Sequence, residues 1–225
     1  MNIFKNEGAD MNKVAIVIGA TGLVGRSLVQ QLAASDTITE VITLTRRADN
    51  LANSKVVNHV IDFDRMDDYK DLFQGEYLFS CLGSTLKQAK SIKKQRIVDL
   101  EYQYQAAKLA AENGVKHYLL ISSSGADAQS KVPYLQMKGL LEKQVSQLPF
   151  EKISIFQPSI LKGQRPEPRP AEIIGNWLMA IICLIPGLQK YSPIKAELLA
   201  KKMLQVSQEQ QTALQFFTLQ EAFPR

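Results

Sequence analysis

Cysteine and histidine are scarce in this chain of 225 residues, which contains two of each. Cys81 and Cys183 stand in apolar surroundings, and neither has the neighbouring cysteine or histidine that a zinc site would need. This scarcity excludes a disulfide-stapled or zinc-finger type of protein. It is typical of free buried thiols in a reducing compartment.

Segments that would export the chain, anchor it or bind nucleic acid are also missing from the sequence. Residues 1–12 hold no apolar core of signal-peptide length, so we expect a flexible leader and a cytoplasmic protein. The apolar stretch 173–188 is broken by Gly175 and is shorter than a transmembrane span. The net charge of +5 suits an anionic small molecule, but no basic arm accompanies it, so we expect no nucleic-acid partner.

A hydrophobic content of 45% is enough for one full-sized domain with its own core, which we expect over residues 13–225. Strand-like runs alternate with helical stretches along this region. The alternation predicts an α/β fold, a doubly wound parallel sheet with ligand at the carboxyl ends of its strands. The predicted strands are residues 14–18, 41–44, 56–61, 77–82, 117–121, 153–156 and 214–219, and the clearest helices are residues 97–113 and 194–206.

A glycine-rich turn follows the first predicted strand and precedes an amphipathic helix. Gly19 would allow a sharp turn, Gly22 would let a pyrophosphate approach the backbone, and Gly25 would let the helix lie close to the strand. The free N–H groups of the helix then face an anion, so the turn predicts a dinucleotide phosphate site, with a plain strand-to-helix turn as the alternative. The expected contacts are Gly19, Ala20, Thr21, Gly22, Leu23, Val24 and Gly25.

Two arginines at the end of the second strand indicate which dinucleotide binds. A carboxylate there would accept hydrogen bonds from the ribose 2′-OH of NAD, whereas guanidinium groups accommodate the 2′-phosphate of NADP. The chain has Arg46 and Arg47 at this point and no carboxylate before Asp49. We therefore expect NADP(H), with a solvated arginine loop as the alternative.

The ends of the third and fourth strands supply further candidate contacts to the cofactor. Asp62 and Phe63 are equally compatible with contacts to the adenine and with a strand-ending turn. Leu82 and Gly83 should approach the ribose and nicotinamide half, because the ends of parallel strands meet in one crevice. Gly83 would permit a close approach.

Groups suited to proton transfer follow the fifth strand. Pro133 is a good first helical residue, so Tyr134 falls in the first turn and Lys138 lies one turn further on the same face. The ammonium group and the positive helix end favour the phenolate form of Tyr134. Tyr134 could then exchange a proton with a carbonyl or alcohol oxygen while a hydride passes to or from nicotinamide. Lys138 would also hold the ribose hydroxyls, and Ser123 or Ser124 would donate to the same substrate oxygen.

The segments G-A-T-G-L-V-G, S-S-S-G-A-D and Y-L-Q-M-K-G together resemble the atypical short-chain dehydrogenase/reductase superfamily. The resemblance runs from residue 14 over nearly the whole chain. It implies a Rossmann fold, NADP(H) binding and the Tyr134–Lys138 pair in the catalytic position. It also favours Ser123 over Ser124 as the catalytic hydroxyl, and it leaves Ser122 to the cofactor.

The resemblance extends past the sixth strand. The family has an Arg-Pro-Gly segment that lines the nicotinamide, and this chain departs from it at Gln157 and Ser159. Pro158, Leu161 and Arg169 are the cofactor contacts that the resemblance implies in this region.

Residues 160–195 should form a small lid over the substrate. Within them, Trp177 and Met179 would give the pocket an apolar wall, and an exposed patch for a partner or membrane is the alternative. The lysine-rich connection 87–96 could attract an anionic substrate or be a solvated helix start. The sequence thus predicts an oxidoreductase for a small carbonyl or alcohol substrate, acting as a monomer or homodimer. An epimerase or dehydratase and an NADP(H)-sensing regulatory protein are the alternatives.

Overall fold

The computed structural model describes residues 13–49, 53–159, 161–162 and 194–222 of the chain. The strands within them are β1 (Val14–Ile18), β2 (Glu40–Thr45), β3 (Val56–Val60), β4 (Tyr77–Ser80), β5 (His117–Ile121), β6 (Lys152–Gln157), β7 (Leu161–Lys162), β8 (Ile194–Lys195) and β9 (Leu214–Thr218). Seven form one parallel sheet in the order β3-β2-β1-β4-β5-β6-β9, while β7 and β8 pair with each other. The predicted doubly wound parallel sheet is confirmed, and its strand order reverses at β1.

Helices cover both faces of this sheet. They are α1 (Leu23–Ala34), a 3-10 helix (Phe63–Leu72), α2 (Leu86–Ala89), α3 (Ile92–Arg96), a π-helical turn (Ile97–Glu101), α4 (Tyr102–Glu112), α5 (Pro133–Val145), α6 (Ala196–Glu209) and a 3-10 turn (Leu219–Ala222). Because side chains alternate along a strand, Ala15 and Val17 of β1 belong to the core beneath α1 and α6. Ile16 and Ile18 belong to the core beneath α4 and α5. The described chain therefore has one core on each face of the sheet.

Two helices begin differently from the sequence prediction. The stretch predicted as one helix over residues 97–113 starts with the π-helical turn, which carries an extra residue in its hydrogen-bonding ring. The helix predicted from residue 194 begins at Ala196, because Ile194 and Lys195 pair with Leu161 and Lys162 as strands. This pairing joins segments far apart in sequence, so helical periodicity alone could not reveal it.

Strand β4 is shorter than the predicted 77–82. Gly19 has a φ of 78°, so the chain turns and β1 ends at Ile18. The N–H of Cys81 still donates to the carbonyl of Ile18 at 2.9 Å. Beyond that bond β1 offers β4 no further strand to pair with, and Leu82 and Gly83 lie in the loop at the sheet's carboxyl edge.

Several sequence predictions fall outside the described residues. These are the flexible leader at 1–12, the cofactor contact from Arg169, and almost all of the substrate lid at 160–195, including Trp177 and Met179. The prediction of a single domain that includes this lid stays a prediction. Among the described residues, no helix is long and apolar enough to cross a membrane.

A buried polar network joins β5, β6 and the segment after α6. His117 Nε2 and Ser154 Oγ are 2.7 Å apart, and the Ser154 hydroxyl donates to the side-chain carbonyl of Gln210. His117 is buried among these groups. Burial lowers the pKa of His117 to about 4, and the charge of Lys152 acts in the same direction.

The lowered pKa of His117 predicts a fold that weakens in acid. Between about pH 4 and pH 6.5 the unfolded chain binds a proton that the folded chain does not, so the free energy of unfolding falls as the pH drops through this window. We expect the parent to lose about 2 to 3 kcal/mol more than His117→Gln between neutral pH and about pH 4.5, measured by urea unfolding. Equal losses in the two proteins would contradict this account.

Candidate functional site

The glycine turn after β1 is built around two close backbone approaches. A Cβ at Gly19 would lie 2.5 Å from the carbonyl carbon of Cys81, and a Cβ at Gly25 would lie 2.2 Å from the carbonyl oxygen of Gly19. Neither position can hold a side chain without moving backbone atoms. Gly22 is the N-cap of α1, and among the described residues no side chain caps this helix. The first turn also contains no acidic residue, so its N–H groups and positive dipole end can receive an anion.

A cleft opens beside this turn, at the carboxyl ends of β1, β2 and β4. It brings together six predicted cofactor residues, Gly19, Ala20, Thr21, Arg46, Phe63 and Leu82. Four lining residues were missed by the sequence analysis, Leu44, Thr45, Val98 and Tyr102. The last two come from the π-helical turn and the start of α4, and no strand-end pattern marks them.

One wall of the cleft is aromatic. The rings of Phe63 and Tyr102 have centroids 5.4 Å apart, and the Tyr102 hydroxyl donates to the carboxylate of Asp64. Burial, followed by this hydrogen bond, raises the pKa of Tyr102 to about 12. The wall therefore offers a neutral, apolar surface of the kind that a planar base can contact.

The sequence left open whether Asp62 and Phe63 contact the adenine or form a strand-ending turn, and the structure gives the two side chains different positions. The carboxylate of Asp62 accepts a hydrogen bond from the N–H of Asp64 at 3.0 Å and caps the 3-10 helix, which is the strand-ending turn. Phe63 is buried and lines the cleft. The pair thus provides a turn and a cleft wall.

The charges after β2 favour an anion. Arg46 is exposed and lines the cleft, while Thr45 Oγ1 donates to the carbonyl oxygen of Arg47 at 2.8 Å. Asp49, the first carboxylate after the strand, forms an ion pair with Arg26 at 2.7 Å. The sequence analysis did not connect these two residues, which lie on different elements. Because the carboxylate of Asp49 is paired with Arg26, it does not neutralise Arg46 or Arg47.

Lys138 is the most deeply buried cation near the ends of β4 and β5. It lies on α5, is 2% exposed, and donates from Nζ to the carbonyl oxygen of Ile121 at 3.1 Å. Tyr134 lies one turn earlier on this helix, after Pro133 at its first position, and is half-buried. In the described part of the chain the Tyr134 hydroxyl has no hydrogen-bond partner, so it is free to face a ligand.

Asp99 is a site residue that the sequence analysis missed. It is fully buried in the π-helical turn, and its Oδ1 lies 4.0 Å from the Nζ of Lys138. The N–H and hydroxyl of Ser84 donate to its Oδ2 at 3.1 and 2.5 Å. The only signal in the sequence was an acid between two apolar residues, Val98 and Leu100. Such π turns are frequent at functional sites.

The three serines after β5 have different environments. Ser122 is buried, and its hydroxyl donates to the carboxylate of Glu142 on α5. Ser123 is half-buried, and its hydroxyl makes a long bond of 3.4 Å to the carbonyl oxygen of Ser124. The N–H of Ser124 donates to the carbonyl oxygen of Pro158, which is buried after β6. The hydroxyl of Ser122 is therefore committed to Glu142, while Ser123 and Ser124 are both half-buried and remain candidates for contact with a substrate.

Glu142 also explains the departure of Gln157 from the family pattern. The side-chain amide of Gln157 donates to both carboxylate oxygens of Glu142, at 2.9 and 3.0 Å. Burial raises the pKa of Glu142, whereas the hydrogen bonds from Gln157 and Ser122 and the charge of Lys138 oppose this rise. These bonds tie α5 to the ends of β5 and β6, so Gln157 serves the helix that carries Tyr134.

A close approach at Gly139 places α5 against the loop that contains the serines. A Cβ at Gly139 would lie 2.2 Å from the backbone nitrogen of Ala128, and the N–H of Asp127 donates to the carbonyl of Leu135 at 3.1 Å. The glycine in Y-L-Q-M-K-G therefore lets Tyr134 and the serine loop lie side by side.

The remaining predicted contacts are only partly brought to this site. Leu161 is half-buried in the short β7–β8 pair. Gly83 lies beside Asp99, since a Cβ added at Gly83 would be 3.8 Å from the Oδ1 of Asp99. Arg169 lies outside the described residues. Within the described ranges, no group of three or more His, Cys, Asp or Glu side chains could hold a metal ion.

Comparison with known proteins agrees with this geometry. A family model described as NAD(P)H-binding matches residues 19–147. The chain is 37% identical to Protein HTATIP2 of Rattus norvegicus over 171 residues, which cover 74% of this chain and 69% of that protein. It is 36% identical to the mitochondrial protein fmp52 of Emericella nidulans over 174 residues, 74% of each chain. It is 32% identical to the mitochondrial protein FMP52 of Candida albicans over 203 residues, 86% of this chain and 87% of that one.

Solved structures share the fold. A short-chain dehydrogenase/reductase superfamily protein from Agrobacterium tumefaciens with bound NAD has a TM-score of 0.70 and 14% identity, covering 92% of this chain and 77% of that one. UDP-glucose 4-epimerase from Thermotoga maritima with UDP-glucose has a TM-score of 0.68 and 16% identity, covering 91% and 76%. At these identities the likeness concerns the fold alone.

The relatives correct one expectation and establish the family. The fungal proteins are named mitochondrial, which overturns the expectation of a cytoplasmic protein. That expectation was wrong because a missing secretory core bears only on export. The match over residues 19–147, together with the identity to HTATIP2, shows what the fold and the glycine turn indicated. The chain belongs to the NAD(P)H-binding family and has a Rossmann fold.

Proposed function

We propose that this protein is an NADP(H)-dependent oxidoreductase that interconverts a carbonyl compound and an alcohol, with Tyr134 as proton donor and acceptor. The observation that carries the proposal is the buried ammonium of Lys138 one helical turn from the hydroxyl of Tyr134, which has no hydrogen-bond partner among the described residues. A phenol held beside a buried cation can pass a proton to and from a substrate oxygen.

The residues of the cleft fit a dinucleotide. The close approaches at Gly19 and Gly25 leave backbone rather than side chain at the helix N-terminus, which suits a pyrophosphate. Phe63 and Tyr102 provide an apolar wall for the adenine. The proposed binding set comprises Gly19, Ala20, Thr21, Gly22, Leu23, Val24, Gly25, Arg46, Arg47, Asp62, Phe63, Leu82, Gly83, Ser122, Tyr134, Lys138, Pro158, Leu161 and Arg169.

The roles at the reacting end follow from the contacts of each side chain. When bound, nicotinamide supplies or accepts the hydride. Ser123 donates a hydrogen bond to the substrate oxygen, since the Ser122 hydroxyl is committed to Glu142. Tyr134 gives its proton to that oxygen during reduction and takes it back during oxidation. Lys138, held by Ile121 and Asp99, stabilises the phenolate between these steps.

The preference for NADP(H) rests on the charges after β2. Arg46 is exposed at the cleft, and the first carboxylate after β2, Asp49, is paired with Arg26. An approaching 2′-phosphate would meet guanidinium groups rather than a free carboxylate.

Calorimetric titration with NADPH and NADH tests this preference. Arg46→Glu should weaken NADPH binding by roughly 10- to 100-fold, the range expected for one charge-assisted hydrogen bond, and leave NADH binding unchanged or improved. Lys143→Glu, an exposed charge reversal in the last turn of α5, is the control and should bind NADPH as the parent does. Equal affinity of the parent for the two cofactors would overturn the NADP(H) assignment, and no binding of either would overturn the cofactor site.

A further inference from the structure

A ten-residue excursion, residues 85–94, starts and ends beside the proposed active site. Ser84 precedes it and donates twice to Asp99, whose Oδ1 lies 4.0 Å from the Nζ of Lys138. Gln95 follows it and donates from Nε2 to the carbonyl oxygen of Ser84 at 3.3 Å. The first end of the excursion is thus bonded to Asp99, the residue that contacts Lys138, and the second end is bonded to the first through Gln95 and Ser84.

The excursion carries an unbalanced positive charge. Lys87, Lys90, Lys93 and Lys94 are all exposed, and no acidic residue lies between Ser84 and Asp99. In the part of the chain that the structure describes, none of these four ammonium groups forms an ion pair or hydrogen bond. Four unpaired cations on one ten-residue segment produce a local field that concentrates anions.

The opposite side of the glycine turn has the opposite charge. The 3-10 helix that follows β3 contains four aspartates, Asp64, Asp67, Asp68 and Asp71. Since β3 and β4 lie on opposite sides of β1, these aspartates and the lysines of residues 85–94 lie on opposite sides of the glycine turn. The lysines therefore draw an anionic ligand to the side of the cleft that holds Lys138.

Apolar side chains accompany the lysines. Leu86 is 52% exposed and Ile92 is 49% exposed, and Val132, two residues before Tyr134, is 53% exposed. Packing does not explain the first two, because α2 buries none of its residues and α3 buries only Gln95. The helices are held by their caps instead, from Thr85 and Ser91.

We propose that residues 85–94 form a basic lip that selects the substrate of this site, an amphiphilic carbonyl compound with a carboxylate or phosphate group on an apolar body. The lysines bind the anionic group, and Leu86 and Ile92 contact the apolar part. This inference rests on the proposed oxidoreductase function, because it assigns the substrate of Tyr134 and Lys138.

A pair of fluorescent probes tests the lip without any turnover. The probes are 8-anilino-1-naphthalenesulfonate, an anionic amphiphile, and N-phenyl-1-naphthylamine, its neutral counterpart, titrated into the full chain with NADPH. The double variant Lys93→Glu/Lys94→Glu should weaken binding of the anionic probe by about tenfold and leave the neutral probe unchanged. In the parent, the same selective loss should occur at about 1 M NaCl, where the Debye length is about 3 Å.

The double variant Lys143→Glu/Lys201→Glu is the matched control, because it makes the same change of charge at exposed positions on α5 and α6. It should bind both probes as the parent does. Equal weakening of the anionic probe by the two double variants, or no weakening by either, would overturn the basic lip.

A second arm connects the lip to catalysis. The parent should reduce 4-carboxybenzaldehyde with a lower KM than its neutral methyl ester, and Lys93→Glu/Lys94→Glu should remove this difference. A parent that prefers the ester would overturn the substrate assignment. If the parent binds NADPH and reduces neither aldehyde, the oxidoreductase proposal fails, and the substrate assignment, which depends on it, fails as well. The probe titrations still decide whether the lip binds anions.

Discussion

Lys138→Met lowers the free energy of unfolding by about 3–5 kcal/mol, because it leaves the buried carboxylate of Asp99 without its cation. The methionine side chain fills nearly the same volume, so lost packing contributes little. The hydrogen bonds from Ser84 to Asp99 remain, but they do not replace the lost charge. Urea unfolding of the parent and the variant measures the difference.

A double-mutant cycle separates the charge from the rest of the side chain. Asp99→Asn/Lys138→Met removes both charges and should recover most of the stability that Lys138→Met loses. Lys143→Met, at an exposed position on the same helix, should change stability by less than about 0.5 kcal/mol. A loss below about 1 kcal/mol in Lys138→Met would show that the contact to Asp99 does not act as a buried ion pair.

This prediction changes how variants of Lys138 are interpreted. Since Lys138 supports the fold and faces the proposed site, its removal lowers activity by two routes. Loss of turnover in Lys138→Met is therefore weak evidence for catalysis unless folding is measured in the same sample. Tyr134 is the better probe, because its hydroxyl has no partner among the described residues.

The parts of the fold that depend on local pattern could be predicted from the sequence. Buried parallel strands show as continuous apolar runs, so β5 was placed at its exact bounds and β1 with it. The glycine turn was recognisable because Gly19 needs a positive φ and Gly25 meets the backbone of the same turn. Pro133 fixed the start of α5 and hence the position of Tyr134 in its first turn.

The parts of the fold and of the site that depend on contacts between distant segments could not be predicted from the sequence. Asp99 is identified as a site residue only by Ser84 and Lys138, which lie on other elements. The ion pair of Arg26 with Asp49 joins the first turn of α1 to the loop after β2 in the same way. No local periodicity records such pairs, so the charge state of the proposed cofactor site could be judged only from the structure.

Tyr134→Phe lowers turnover by about 10²- to 10⁴-fold, the range that a general acid or base contributes. The substitution removes a single oxygen and keeps the half-buried ring at the start of α5. The glycine turn, Arg46 and the aromatic wall are unchanged, so the affinity for NADPH should fall by no more than the roughly tenfold that one lost hydrogen bond costs. Stability should also change little, because no hydrogen bond to a described residue is lost.

The decisive measurement is NADPH consumption with carbonyl substrates by the parent, Tyr134→Phe and the control Tyr104→Phe, alongside their NADPH affinities. Tyr104 is a half-buried tyrosine on α4 that does not line the cleft, so its variant should retain full activity. We predict that Tyr134→Phe keeps its NADPH affinity within about tenfold of the parent and loses turnover by two orders of magnitude or more. Turnover within about threefold of the parent, or a parent that binds NADPH and reduces no carbonyl compound, would contradict the catalytic role of Tyr134.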